Sequence, residues 1–132
     1  MKRISYAVIG LLILIASCTS KESKPLIGIW KLKSVDINGT QFGPDQIQQM
    51  WEFNSMGGLL IVTAGVKEKG FYKVQGNKLN FRSDTYKNKA DQNFEILKLD
   101  SVDLVLVSAT ADNKMTMNLM RIKESEAVGE KD

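Results

Sequence analysis

Gly70-Phe71-Tyr72-Lys73-Val74-Gln75-Gly76-Asn77-Lys78-Leu79-Asn80-Phe81-Arg82 is the stretch that decides the fold. Tyr72 and Val74 alternate with Lys73 and Gln75, and Leu79 and Phe81 alternate with Lys78, Asn80 and Arg82. Period two places one set of side chains inside and the other in water, the pattern of a half-buried strand. Gly76-Asn77 between the two runs is a pair suited to a primed two-residue turn, so the stretch predicts a β-hairpin.

Just after the hairpin, Ser83–Gln92 is a polar loop; working upstream, Leu59–Ala64 and Met50–Asn54 read as two strands joined at Ser55-Met56-Gly57-Gly58. Gly65–Lys69 reads as a turn. Gly43-Pro44-Asp45, with proline at a first helical position, predicts one or two helical turns running to Met50. Before Asn38-Gly39, Trp30, Leu32 and Ser34 alternate with Lys31, Lys33 and Val35 as a first strand. Working downstream, Asn93–Leu99, Val102–Val107 and Lys114–Lys123 are separated by turns at Asp100-Ser101 and near Ala111-Asp112-Asn113. About eight short strands in consecutive hairpins predict an all-β, antiparallel up-and-down barrel with one short helix after the first strand. Closure removes the exposed edges that an open sheet would carry.

Alternation assigns an inward set: Trp30, Leu32, Trp51, Phe53, Leu60, Val62, Tyr72, Val74, Leu79, Phe81, Leu104, Leu106, Met115, Met117 and Leu119. Ile27, Ile29, Val35, Leu59, Ile61 and Val105 are expected to face outward. Arg121 shares the parity of Met117 and Leu119. A charge aimed inward is costly unless it is paired, so Arg121 is expected to stack on Trp30 at a sealed barrel end.

The N-terminus is of a different kind. Met1-Lys2-Arg3 precedes an apolar run from Tyr6 to Ile15, too short to cross a bilayer, and Ile15-Ala16-Ser17-Cys18 follows. These residues resemble the lipobox of bacterial lipoproteins. The resemblance implies a signal peptide over residues 1–17, a lipid such as palmitate on Cys18, and attachment to the cell-envelope membrane. Thr19 is not the aspartate that marks inner-membrane retention in some bacteria, so the outer membrane is expected. Residues 18–25 are then a polar tether, 26–122 the barrel, and 123–132 a charged tail without apolar pattern.

Composition narrows the chemistry. The 132 residues hold one Cys and no His, so no intrachain disulfide, Ser-His pair or His-containing zinc site can form. No cofactor or metal is expected. Lys2 and Arg3 are two of 18 basic side chains against 15 acidic, so the chain beyond Ser17 is close to neutral. Its charges are interspersed, which predicts no basic face and no nucleic-acid partner. Glu52 and Asp84 are the acids considered for catalysis, yet one reads as outward-facing and the other as loop. The chain is therefore expected not to be an enzyme.

Gly28-Ile29-Trp30 on the first strand and Arg121 on the last resemble the Gly-x-Trp and closing arginine of lipocalin and calycin barrels. Trp51-Glu52-Phe53-Asn54-Ser55-Met56-Gly57-Gly58 is similar to the aromatic strand and glycine turn of short lipocalin-like lipoprotein domains of Bacteroides-type bacteria. The resemblance covers residues 26–122. It implies barrel closure by Gly28, Trp30 and Arg121. It also implies binding of a small hydrophobic molecule, with Trp51, Phe53, Tyr72, Phe81, Met115 and Met117 as candidate ligand contacts. The alternative is a barrel filled by its own side chains whose outer face engages an envelope protein.

Overall fold

The computed structural model describes residues 24–110 and 112–123. The expected signal segment, Cys18 with its lipid, and the tail beyond Lys123 lie outside the described residues. A single 3-10 turn, Lys24–Leu26, leads into nine strands: β1 (Gly28–Ile37), β2 (Thr40–Phe42), β3 (Gln49–Phe53), β4 (Gly58–Thr63), β5 (Val66–Gln75), β6 (Lys78–Ser83), β7 (Gln92–Leu99), β8 (Asp103–Ala109) and β9 (Lys114–Ile122). Each pairs antiparallel with its neighbour in the order β2-β1-β3-β4-β5-β6-β7-β8-β9, and β1 also pairs with β9.

β2 and β3 share one edge of β1. Val35–Ile37 pair with β2 and Gly28–Lys31 pair with β3, while the other edge of β1 is taken by β9. The nine strands therefore make a closed barrel of eight staves. Its floor holds the start of β1, the end of β9 and the turn at Asn54–Gly57. Its mouth holds the β1–β2 turn, the segment from Gly43 to Gln48 and the loop between β6 and β7. Asn38 and Gly39 both have positive φ (53° and 90°), as the primed turn joining β1 to β2 requires.

Side chains from six staves meet in one core: Trp30, Leu32, Trp51, Phe53, Tyr72, Leu79, Phe81, Leu104, Leu106, Met117 and Leu119 are buried, as their alternation predicts, and Phe94 joins them from β7. β4 differs. Leu59 and Ile61 are buried at 2% and 5% exposure, while Leu60 and Val62 lie on the outer side. The register explains this: Phe53 pairs with Leu59 and Trp51 with Ile61, and residues opposite each other share a face. Val35 is also inside, because the β1–β9 register shifts between Leu32 and Ser34 and resets the alternation.

The helix expected after the first strand is not formed. Pro44–Gln46 make a turn closed by Gln46 and Ile47 amides on the Gly43 carbonyl, and the Gln46 side chain accepts from the Gly43 amide. Local side-chain bonding of this kind competes with helix propagation. The short segment also carries Phe42 and Ile47 onto the core from the mouth side.

Candidate ligand site

The floor is built from the first and last strands. Trp30 and Arg121 are directly opposite in the β1–β9 pairing, and the guanidinium carbon lies 4.3 Å from the centre of the indole. Arg121 donates from Nη1 to the Ile27 carbonyl (2.8 Å), from Nη2 to the Pro25 carbonyl (2.6 Å) and from Nε to the Ser101 carbonyl (3.1 Å). The indole of Trp30 donates to the Leu26 carbonyl at 2.9 Å, and Leu26 itself is fully buried. Gly28 sits at φ 137°, and a Cβ there would run into Arg121 Nη1. Glycine is needed twice over, for the backbone angle and for the close approach. These groups plug one end of the barrel.

Above the floor the interior is apolar and ring-rich. Trp51 meets Phe94 edge-on at 5.6 Å, and Phe53 meets Tyr72 edge-on at 5.0 Å. The structure brings Trp51, Phe53, Tyr72, Phe81 and Met117 into one cluster, with Met115 half-buried against it. The Tyr72 hydroxyl donates to the Asn54 carbonyl at 2.9 Å, and burial pushes its pKa above the ordinary 10.0. Among the described residues, every buried side-chain nitrogen or oxygen has a hydrogen-bond partner.

The mouth is polar. Trp51 Nε1 donates to Gln49 Oε1 (2.7 Å), and Gln49 Nε2 donates to Thr63 Oγ1 (2.9 Å), so the top of the aromatic cluster ends in an amide–hydroxyl relay. Glu68 has the inward parity of Gly70 and Tyr72 and pairs across with buried Ile61. Its side chain is only 14% exposed, and Lys89 from the β6–β7 loop meets it at 3.1 Å. The loop is pinned to β5 as well, by Asp84 N on the Lys69 carbonyl and Lys69 N on Thr85 Oγ1. The sequence reading missed Glu68 because Gly65–Lys69 passes for a turn. Counting back in twos from Tyr72 through Gly70 would have found it. Glu52, by contrast, is exposed on the outer side of β3, and Asp84 is exposed in the loop, as expected.

A depression of about 590 Å³ lies elsewhere, on the outer wall of β5 to β8. It is lined by Lys73, Gln75, Lys78, Asn80, Asn93 and Glu95 among others, and by none of the expected ligand contacts.

Comparison with solved structures agrees with this architecture. A lipocalin-like protein from Bacteroides uniformis superposes with a TM-score of 0.54 at 19% identity, covering 70% of this chain and 96% of its own. The fold is lipocalin-like. An uncharacterized protein from Bacteroides eggerthii gives a TM-score of 0.55 at 15% identity over 73% of this chain and 98% of its own. No family model matches the chain, and no curated protein does. The lipocalin-like fold thus rests on strand order, closure and the Gly28–Trp30–Arg121 floor, with little sequence in common.

Proposed function

We propose that the protein is a lipid-anchored envelope lipoprotein that holds a small apolar molecule in its barrel and binds it without catalysis. The difference between the two ends carries this reading. One end is plugged by Leu26, Trp30 and Arg121, and the other is covered by Phe42, Ile47 and one ion pair. A molecule entering at the mouth meets Met115, then Trp51, Phe53, Tyr72, Phe81 and Met117. Methionine and aromatic side chains present broad, adaptable apolar surface to such a ligand. The interior polar groups already have partners, which favours an apolar ligand over one that needs hydrogen bonds. The mouth suits a polar group at the ligand's outer end.

Attachment follows from the lipobox-like run ending at Cys18. Two or three acyl chains would hold the protein durably, since each buried methylene contributes about 0.8 kcal/mol. Cys18→Ser is expected to release the protein from the outer-membrane fraction and to block cleavage after Ser17. A processed, membrane-bound mutant would contradict that part.

The ligand is tested by native mass spectrometry of the protein purified from its own host, which should show a retained small molecule. Trp51→Ala should abolish uptake of a fluorescent apolar probe while circular dichroism stays that of the folded barrel. A second reading has its own support: Trp30, Phe53, Phe81, Leu79, Leu104, Leu106 and Leu119 are almost wholly inaccessible, as in a barrel filled by side chains. In that case the protein is an envelope protein-interaction module, and unchanged probe affinity in Trp51→Ala would favour it.

A further inference from the structure

The charges that look interspersed along the sequence are sorted by the strands. On β5 the outward positions are Lys67, Lys69, Phe71, Lys73 and Gln75, and on β6 they are Lys78, Asn80 and Arg82. Phe71 lies opposite Arg82, Lys73 opposite Asn80, and Gln75 opposite Lys78. On the neighbouring β4, Leu60 lies opposite Lys69 and Val62 opposite Lys67. One wall therefore gathers five cations around an apolar patch, and Phe71 is 58% exposed at its centre. Among the described residues, Lys67, Lys69, Lys73 and Lys78 make no ion pair; Arg82 meets Asp91 at 3.5 Å. The depression lined by Lys73, Gln75, Lys78, Asn80, Asn93 and Glu95 opens beside this wall, and the nearest outward acids stand on the flanking strands, Glu95 opposite Lys78 on β7 and Glu52 opposite Leu60 on β3.

From this placement we infer that the β4–β6 wall docks on a lipid surface of net negative charge, with Phe71 entering the headgroup layer. The β5 lysines span about 20 Å along the strand and the β6 cations lie about 5 Å to one side, so several anionic headgroups can be met at once. Anionic headgroups attract such lysines from within a Debye length, and an exposed aromatic ring is at home in the interface. This inference is independent of whether the barrel holds a ligand.

The test uses residues 18–132, the mature chain under the proposed processing, carrying Cys18→Ser and Phe71→Cys and labelled at position 71 with an environment-sensitive fluorophore. On vesicles containing phosphatidylglycerol the label should shift to the blue, and on phosphatidylcholine alone it should not. At about 1 M salt, where the Debye length falls to about 3 Å, the shift should be lost. Adding Lys67→Gln, Lys69→Gln and Lys73→Gln should raise the half-saturating lipid concentration by roughly a hundredfold, at about fivefold per cation removed. A label at Met120→Cys on β9, away from this wall, should stay unchanged. Equal emission on both lipids, an equal response at position 120, or displacement to a DNA duplex added in competition would each overturn the inference.

Discussion

The two ends of the barrel are made of different material. At the floor, Arg121 satisfies three main-chain carbonyls and stacks on an indole that is itself bonded to a buried turn. The acceptors are main-chain carbonyls of the N-terminal turn, its link to β1 and the β7–β8 turn. At the mouth, cover comes from a short segment carrying Phe42 and Ile47 and from a loop lysine over Glu68. Opening the floor means breaking the first and last strands apart, whereas opening the mouth means moving side chains and one loop. Stability is therefore concentrated at one end and access at the other.

The largest effects should come from the floor. Trp30→Ala removes a fully buried ring and is expected to cost about 3–5 kcal/mol in urea unfolding, a large share of a small domain's total. Gly28→Ala should destabilise by about 1–3 kcal/mol, from the φ of 137° and from displacement of Arg121. Arg121→Lys keeps the charge but loses the planar stack and the fork of donors. Arg121→Lys and Trp30→Phe should each cost about 1 kcal/mol or more, and a double-mutant cycle should show coupling of at least ~0.5 kcal/mol. Additive losses would mean that the two side chains stabilise the floor separately.

Much of this was legible in the sequence, and the failures have physical causes. Alternation in β5, β6 and β9 separates apolar from polar residues, so faces could be assigned. Leu59-Leu60-Ile61-Val62 is apolar at every position, so alternation has nothing to choose between, and only the register with Trp51 and Phe53 decides. The irregularity between Leu32 and Ser34 leaves no mark in residue type, yet it turns Val35 inward. Trp30 and Arg121 stand far apart in the chain, but a closed barrel makes its first and last strands neighbours. Glu68 can be placed inward by counting back from Tyr72, but its partner Lys89 lies in a loop, where no alternation says what a side chain meets.

Smaller effects should come from the mouth and the turns. Lys89→Ala removes a partly exposed ion pair and should cost less than about 1 kcal/mol, while speeding entry of an apolar probe severalfold in stopped-flow fluorescence. A matched loss of stability with no change in entry rate would remove the distinction between the ends. At the β7–β8 turn, Asp100 accepts the amides of Asp103 and Val102, which holds its carboxyl below the ordinary 3.8. A lowered value in the folded state means stability that is present at neutral pH and lost on acidification below about pH 4. Asp100→Asn should flatten that acid limb slightly in pH-dependent thermal unfolding.

Amide hydrogen exchange with and without a saturating apolar probe tests the division between a fixed floor and an accessible mouth most directly. Probe binding should slow exchange in residues 42–48 and 84–91 while leaving residues 26–31 and 118–122, already slow, unchanged. Protection that grows equally at both ends, or no change at the mouth with the probe bound, would contradict the account.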